Sequence, residues 1–318
     1  MPKTIFCLMG PTASGKTALA CELLKIFPFE IISVDSAMIY REMNIGTAKP
    51  SLEELEEAPH HLIDILDPIE SYSAAEFCED AVELIEAIYE RGKLPLLVGG
   101  TMMYFNALQQ GLSTLPQADE VIRASLLREA ERHGWSYLHQ QLEQIDPLSA
   151  ERIHPNDTQR IQRALEVYQL TGKPLSFFWS EQKGCAKYHF VNIILFPGQR
   201  SWLHERIALR FEQMLMKDFV GEVAQLLQKW QLPPTCPSMR SVGYRQVINY
   251  LAGDYDYETL QHKGIVATRQ LAKRQLTWLR NWPEGLVFDC EDMTATKGKI
   301  VALIMEIIDN RVQNVEVF

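Results

Sequence analysis

Two kinds of segment alternate along the first third of the chain. Short apolar runs are typical of buried strands, and they occur at residues 4–9, 30–34, 61–66 and 94–98. Amphipathic stretches with helical spacing follow three of these runs. Ser73-Ala74-Ala75-Glu76 is a capping box, which predicts a helix from there to about Arg91. Strands that alternate with helices predict an α/β fold in which helices flank a parallel β-sheet.

The pattern changes in the middle of the chain. Residues 111–187 are rich in Glu, Gln, Arg, Leu and Ala at helical spacing, which predicts a helical insertion. Strand character returns at 190–196, and we predict these later elements: helices at 202–230, 242–251 and 257–281, a short strand at 286–288 and a closing helix at 297–310. The predicted domains are therefore a catalytic core of 1–110 and 188–318 and a helical insertion domain of 111–187.

Composition indicates an ordinary soluble globular protein. Of its 318 residues, 47% are hydrophobic and 23% are charged, and no apolar run approaches the roughly 18 residues that a membrane span needs. The start of the chain lacks the pattern of a signal peptide. The six cysteines include no C-x-x-C pair, which argues against a zinc site and fits a reducing compartment. We expect a cytoplasmic protein with no membrane contact.

Charge is unevenly distributed. The formal net charge of −10 argues against general nucleic-acid affinity. Residues 263–283 nevertheless contain no acidic residue and five basic ones, which are Lys263, Arg269, Lys273, Arg274 and Arg280. On a helical wheel Arg269, Lys273 and Arg280 fall within about 40°, opposite Leu271 and Trp278. This predicts a basic stripe over an apolar face, suited to a phosphate backbone, although a solvated charged face is the simpler alternative.

A phosphate-binding loop is the clearest motif. Residues 10–17 read Gly-Pro-Thr-Ala-Ser-Gly-Lys-Thr and fit G-x-x-x-x-G-K-[ST], between a predicted strand and a predicted helix. In such loops backbone N–H groups surround phosphate oxygens, the lysine adds a positive charge, and the hydroxyl of Thr17 can hold Mg2+. We predict that the phosphate-binding residues are Gly10, Pro11, Thr12, Ala13, Ser14, Gly15, Lys16 and Thr17. A glycine-rich turn without a ligand is the alternative.

Other motifs restrict which phosphates the loop holds. The apolar run at 94–98 ends in glycines and offers no carboxylate of the kind that completes an NTPase magnesium site. There is also no Asn-Lys-x-Asp element for guanine recognition. Asp35 follows the apolar run at 31–34, so we expect it at the carboxyl edge of the sheet, near the loop. It could be a general base for an acceptor, or a cap on the following turn.

These motifs belong to a longer series that resembles the tRNA dimethylallyltransferases, also called tRNA isopentenyltransferases. The series runs in family order from Gly10 to Trp282, and its further members are Ile32-Ser33-Val34-Asp35-Ser36, Asn44-Ile45-Gly46-Thr47-Ala48-Lys49-Pro50, Val98-Gly99-Gly100-Thr101, His154-Pro155-Asn156-Asp157, Ser241-Val242-Gly243-Tyr244-Arg245-Gln246 and the run from Ala267 to Gln275. The bacterial form, without a C-terminal zinc finger, fits best. One departure is Met38, where many members of the family carry glutamine.

The resemblance implies a reaction and a set of roles. Residues 10–17 would bind dimethylallyl diphosphate, with Mg2+ held through Thr17 and with Arg210 reaching the same diphosphate. Asp35 would accept a proton from the exocyclic amine of the adenosine 3′ to the anticodon, and Thr101 would help to hold the adenine.

The expected partners are the diphosphate and the anticodon stem-loop of tRNA, and we expect the protein to be a monomer. The implied tRNA-binding residues are Asp35, Ser36, Ala37, Met38, Thr101, Arg123, Gln159, Arg160, Arg163, Arg240, Gly243, Tyr244, Arg245, Arg269, Lys273, Arg274 and Arg280.

Two other functions fit parts of the sequence. A small-metabolite kinase would use Asp35 to activate an alcohol and would turn over ATP without RNA. A non-catalytic RNA-binding or switch protein would bind RNA without changing it. The basic helix argues against the kinase, and the missing guanine motif argues against the switch.

Overall fold

The structure is a computed structural model that describes residues 2–112, 115–181, 187–233 and 236–315. The chain divides into two compact units. Unit 1 comprises Met1–Asn106 and Lys187–Phe318, and unit 2 comprises Ala107–Ala186. No helix in the described part of the chain is both long and apolar enough to cross a membrane.

The elements alternate as follows. The strands are β1 (Lys3–Met9), β2 (Phe29–Val34), β3 (His60–His61), β4 (Leu94–Gly99), β5 (Tyr188–Phe196) and β6 (Gly285–Asp289). The helices are α1 (Lys16–Leu24), α2 (Leu52–Glu57), α3 (Ala74–Glu90), α4 (Met102–Gln110), α5 (Glu120–His133), α6 (Trp135–Ile145), α7 (Pro147–Arg152), α8 (Thr158–Thr171), α9 (Arg200–Met216), α10 (Phe219–Trp230), α11 (Tyr244–Leu251), α12 (Tyr257–Arg280) and α13 (Met293–Val315).

The centre of unit 1 is a parallel sheet. Its six described strands have the order β3-β2-β4-β1-β5-β6, and every pairing is parallel. The middle strand β1 pairs on both sides, for example through Cys7 with Leu97 of β4 and with Asn192 of β5. Its side chains are buried on both faces because helices cover the sheet. This confirms the predicted α/β fold with a parallel sheet flanked by helices.

The strand predicted at 61–66 is wrong in extent. Strand β3 contains only His60 and His61, and the chain then leaves the sheet. The cause is local backbone geometry, because Leu62 has a φ of 62° and Asp64 a φ of 56°. A left-handed residue cannot continue a strand, so only an isolated bridge from Leu66 to Tyr40 remains beyond this point.

The single helix predicted at 202–230 is two helices. Helix α9 ends at Met216 and α10 begins at Phe219, with Asp218 between them at a φ of 66°. The Asp218 side chain accepts a hydrogen bond of 3.1 Å from the backbone N–H of Gly221 and thereby caps the second helix. Periodicity does not reveal this break, because apolar spacing continues across it.

A second core lies among helices α9 to α12. Phe211, Phe219 and Tyr244 pack edge to face in this core and are fully buried. Gly264 of α12 lies against the ring of Phe211, and a Cβ at this position would overlap the ring. Helices α9 and α12 therefore approach closely at one point, which sets the position of the charged residues that they carry.

Unit 2 is helical. Helices α5 to α8 surround a core that includes Leu126, Leu138, Leu142, Ile161 and Leu165. Aspartates cap the N-termini of three of these helices, as their residue type favours: Asp119 for α5, Asp146 for α7 and Asp157 for α8.

Candidate active site

The phosphate-binding loop connects β1 to α1. Within it Gly15 has a φ of 92° and Ala13 a φ of 64°, so the backbone turns through the left-handed region twice. A Cβ at Gly10 would lie 2.8 Å from Ser14 Oγ and 3.0 Å from the Leu195 carbonyl oxygen, which leaves no room for a side chain. The Ser14 hydroxyl is buried and has no hydrogen-bond partner among the described residues. A tightly wound loop at a helix N-terminus is the geometry that binds phosphate.

Lys16 lies inside this loop. Its Nζ donates a hydrogen bond of 2.7 Å to the carbonyl oxygen of Pro11, across the loop. Burial, together with the charge of Arg210, lowers the pKa of Lys16 to about 8, while the negative charge of Asp35 opposes the shift. The lysine is therefore a cation whose charge is costly in the free protein, and a bound anion would stabilise it.

Asp35 begins a turn directly after β2. Its Oδ1 accepts hydrogen bonds from the backbone N–H groups of Ala37 at 2.9 Å and Met38 at 3.2 Å. The carboxylate caps the following turn, as one alternative predicted, and this also fixes its orientation. The Thr101 Oγ1 accepts a hydrogen bond of 3.1 Å from the backbone N–H of Ser36, so Thr101 holds the same turn from the end of β4.

Two arginines on α9 reach toward the loops around this site. Arg210 donates a hydrogen bond of 3.3 Å from Nη2 to the carbonyl oxygen of Thr47, and burial lowers its pKa while Asp35 opposes that shift. Arg206, one helical turn earlier, donates from Nε to the Ala13 carbonyl oxygen of the phosphate loop at 2.8 Å. Arg206 was not predicted from the sequence, where its spacing of four residues from Arg210 places both arginines on one face of a helix.

The loop at residues 44–47 is fixed by Glu222. This carboxylate accepts hydrogen bonds from the backbone N–H groups of Asn44 at 2.8 Å, Ile45 at 2.6 Å and Gly46 at 3.1 Å. It also accepts the hydroxyl of Tyr244 at 2.7 Å. The loop whose Thr47 carbonyl oxygen accepts from Arg210 is therefore positioned by the Glu222 carboxylate of α10, which was not among the predicted site residues.

Residues of these loops and of α9 and α12 line one cavity of about 470 Å³ in unit 1. Lys16, Thr17, Arg210, Asp35 and Thr101 meet there, which brings together all four predicted catalytic residues and the lysine of the loop. The cavity also has an apolar part lined by Met38, Met103, Ile207, Phe211, Met214, Val242, Leu271 and Trp278. Its chemistry thus combines a cationic region, a carboxylate and an apolar wall.

The apolar face predicted on helix α12 carries Leu271 and Trp278. Leu271 and Trp278 line the cavity, and Trp278 is 43% exposed, whereas the face packed on the core carries Gly264, Ala272, Leu276 and Leu279. The predicted apolar face is therefore part of the cavity wall and is not the face packed on the core. A helical wheel gives the angle between side chains but not which direction faces the core.

The basic residues of unit 1 divide into groups. Arg240 and Arg274 are exposed and line the cavity, while Arg245, Lys273 and Arg280 are exposed outside its lining. The Arg280 guanidinium lies 5.6 Å from the centre of the Phe196 ring.

The remaining predicted residues of unit 1 are less exposed. Arg269 is half-buried, and its Nε has no hydrogen-bond partner among the described residues. Tyr244 is fully buried with its hydroxyl on Glu222, so its side chain is not available to RNA in this structure. Gly243, also buried, lines the cavity.

The predicted RNA contacts of unit 2 fall into two kinds. Arg123 Nε and Arg163 Nη1 pair with the fully buried Glu166 at 2.9 and 2.6 Å. Burial alone would raise the pKa of Glu166, but hydrogen bonds from Arg163 and Arg123 lower it. These two arginines thus have a structural partner, while Gln159 and Arg160 are exposed on α8.

The fold and the site together define a phosphate-loop α/β protein whose cavity joins cations, a carboxylate and an apolar wall. The family model described as IPP transferase matches residues 38–282. The chain belongs to this family, which confirms the resemblance found in the sequence.

Curated relatives cover nearly the whole chain. The tRNA dimethylallyltransferase of Legionella pneumophila strain Lens is 64% identical over 314 residues, covering 99% of this chain and 100% of the relative. That of Coxiella burnetii strain RSA 493 is 58% identical, covering 91% of this chain and 93% of the relative.

Two solved structures of tRNA-modifying transferases are similar to this chain over almost its whole length. The tRNA isopentenylpyrophosphate transferase of Bacillus halodurans has a TM-score of 0.72 at 37% identity, with 99% of each chain covered. A eukaryotic dimethylallyltransferase, described as acting on tRNA, has a TM-score of 0.82 at 28% identity over 97% of this chain and 80% of its own.

Proposed function

We propose that this protein transfers the dimethylallyl group of dimethylallyl diphosphate to N6 of the adenosine 3′ to the anticodon in tRNA, releasing diphosphate. The observation that carries the proposal is the meeting of Lys16, Arg210, Asp35 and Thr101 in one cavity beside the phosphate loop. The names and full-length identity of the relatives support the same reaction.

The proposed reaction forms one bond and breaks another. The N6 nitrogen attacks the allylic carbon, and the bond from that carbon to the diphosphate oxygen breaks with its electron pair staying on the diphosphate. The loop N–H groups, Lys16 and Arg210 stabilise the charge that develops there. Asp35 takes the proton from N6, and its fixed turn keeps the carboxylate in place for this step. Aligning nitrogen and carbon in line supplies up to about 7–11 kcal/mol of barrier reduction.

Magnesium is part of the proposal. Mg2+ keeps several of its waters and is commonly held by few protein oxygens together with substrate phosphates. The position of Thr17 in the lining of the cavity that would hold the diphosphate supports this arrangement. The ion would supply charge neutralisation of the leaving diphosphate.

Binding of the tRNA would use residues outside the cavity as well as residues that line it. The target amine is inaccessible in a stacked loop, so the base must leave the stack at a cost of a few kcal/mol. Phosphate contacts by basic side chains would offset this cost. The exposed Arg240, Arg245, Lys273, Arg274 and Arg280 are the candidates in unit 1.

Exposed residues of unit 2 join this proposal. Gln159 and Arg160 are its candidates for RNA contact. We further propose that the protein acts as a monomer in the cytoplasm.

Transfer of labelled dimethylallyl group into an unmodified anticodon stem-loop, with Mg2+, tests the proposal. We expect label in the adenosine 3′ to the anticodon, lost in Asp35→Asn while RNA still binds and retained in Asp309→Asn, a change at an exposed position of α13. Removal of Mg2+ with a chelator should abolish transfer. ATP turnover without RNA, and no transfer, would instead support the kinase alternative, which the relatives do not favour.

A further inference from the structure

The side chain of Gln275 connects two parts of the active site. It lies on α12, and its Oε1 accepts a hydrogen bond of 2.9 Å from the backbone N–H of Thr12 in the phosphate loop. Its Nε2 donates a hydrogen bond of 2.9 Å to the carbonyl oxygen of Gly100, just after β4. Both ends of one amide are therefore used, each on the backbone of a different loop at the carboxyl edge of the sheet.

The space for this amide comes from the glycine opposite it. A Cβ at Gly100 would lie 2.5 Å from Gln275 Nε2 and 3.4 Å from the Gly10 carbonyl oxygen. Any other residue at this position would displace the amide or the loop. The position of the Gln275 side chain thus depends on the loop after β4 as well as on α12, which carries it.

Each of the two loops serves a different reactant of the proposed reaction. Thr12 belongs to the loop that would hold the diphosphate. Gly100 directly precedes Thr101, which holds the turn of Asp35 through the backbone N–H of Ser36. A change in the distance between these loops would change the distance between the allylic carbon and the amine.

We propose that Gln275 is a positioning residue that sets the separation between the phosphate-binding loop and the turn that carries the general base Asp35. This inference rests on the proposed function. In this role the amide acts through the two backbone groups that it binds and not on the reacting atoms. Misplacement of reacting atoms by about 1 Å can slow a reaction about 100-fold, so a lost link should affect the transfer step.

Gln275→Met tests the proposal, because it keeps the length of the side chain and removes both hydrogen bonds. The matched control is Gln270→Met, at an exposed position of the same helix. The measurements are the single-turnover transfer rate at saturating substrates and the dissociation constants of dimethylallyl diphosphate and of the stem-loop. We expect the rate of Gln275→Met to fall about 10- to 100-fold with both dissociation constants within about threefold of wild type, and the control to be unchanged.

Gln275→Glu provides a signature that a general packing role would not produce. A protonated carboxyl can accept from Thr12 and donate to Gly100 as the amide does, whereas an ionised one places negative charge against the Gly100 carbonyl oxygen. The rate of Gln275→Glu relative to wild type should therefore rise as pH falls from about 8 to about 5.5, while that of Gln275→Met stays constant. If Gln275→Met does not fold, the pH dependence of the Gln275→Glu rate relative to wild type tests the proposal by itself.

The opposite results would overturn the inference: a Gln275→Met rate within twofold of wild type, a loss found only in the RNA dissociation constant, or a Gln275→Glu ratio that is flat with pH. Failure of the proposed function would look different, because wild type itself would then transfer no label.

Discussion

Replacing Glu222 with alanine should both destabilise the protein and slow the reaction. The carboxylate accepts three backbone N–H groups of the 44–46 segment and the hydroxyl of the fully buried Tyr244. In Glu222→Ala water can reach the exposed Asn44 N–H, but the Ile45 and Gly46 donors and the Tyr244 hydroxyl are more enclosed. At about 1–3 kcal/mol for each unsatisfied buried donor, with partial relaxation, the free energy of unfolding should fall by about 3–5 kcal/mol.

Urea denaturation monitored by circular dichroism measures this loss, with Gln225→Ala on the exposed side of the same helix as the control. A double-mutant cycle with Tyr244→Phe separates the hydroxyl from the backbone donors. Tyr244→Phe alone should cost about 1.5–3 kcal/mol, because it removes a hydrogen bond to a charged acceptor. In the Glu222→Ala background it should cost nothing or stabilise, because it then removes an unpaired hydroxyl.

Activity gives the second measurement. The segment held by Glu222 continues to Thr47, whose carbonyl oxygen accepts from Arg210. The transfer rate of Glu222→Ala should therefore fall even under conditions in which the variant is fully folded. Additivity of the two substitutions within about 0.5 kcal/mol, or a transfer rate equal to that of Gln225→Ala, would refute the reasoning.

Because the pKa of Lys16 is lowered to about 8, its charge is present below this pH and is lost as pH rises through it. Affinity for dimethylallyl diphosphate should thus weaken above about pH 8, with proton uptake on binding measurable by calorimetry; a constant affinity to pH 9.5 would contradict this. Gly264→Ala should lower both stability and transfer, because the new Cβ overlaps Phe211, while Gly298→Ala, where a Cβ meets nothing within 4 Å, should be neutral or slightly stabilising by thermal denaturation. Glu166→Gln should destabilise by about 1–3 kcal/mol in urea, since the buried partner of two arginines loses its negative charge and one of its two acceptor oxygens; an unchanged midpoint would show that these pairs contribute nothing.

Several errors in the sequence-based description share a cause. The strand at 61–66 and the continuous helix at 202–230 were predicted from apolar spacing, which continues through both breaks. The breaks come from single residues with left-handed backbone, such as Leu62 and Asp218, which are not glycines and carry no warning in the pattern. A helical wheel likewise does not show which side of α12 faces the core, because it has no external reference direction.

The local structural elements were determined by the sequence alone. The loop at residues 10–17, the capping box at Ser73 and the alternation of strands and helices depend on residues a few positions apart, so their pattern carries the information. Asp35 could be placed near the loop because parallel strands bring their carboxyl ends to one edge of the sheet, whereas Thr101 was assigned to the site by the family resemblance.

Only the tertiary structure decided which side chains hold these loops in place. The hydrogen bond from Thr12 to Gln275 spans 263 positions and that from Asn44 to Glu222 spans 178. No periodicity connects residues so far apart, and Gln and Glu on a helix are otherwise typical of solvent-exposed positions. Their roles appear only when packing of α10 and α12 brings each side chain to a backbone that needs a partner, because a polar side chain is positioned by the groups that it meets and not by its neighbours in sequence.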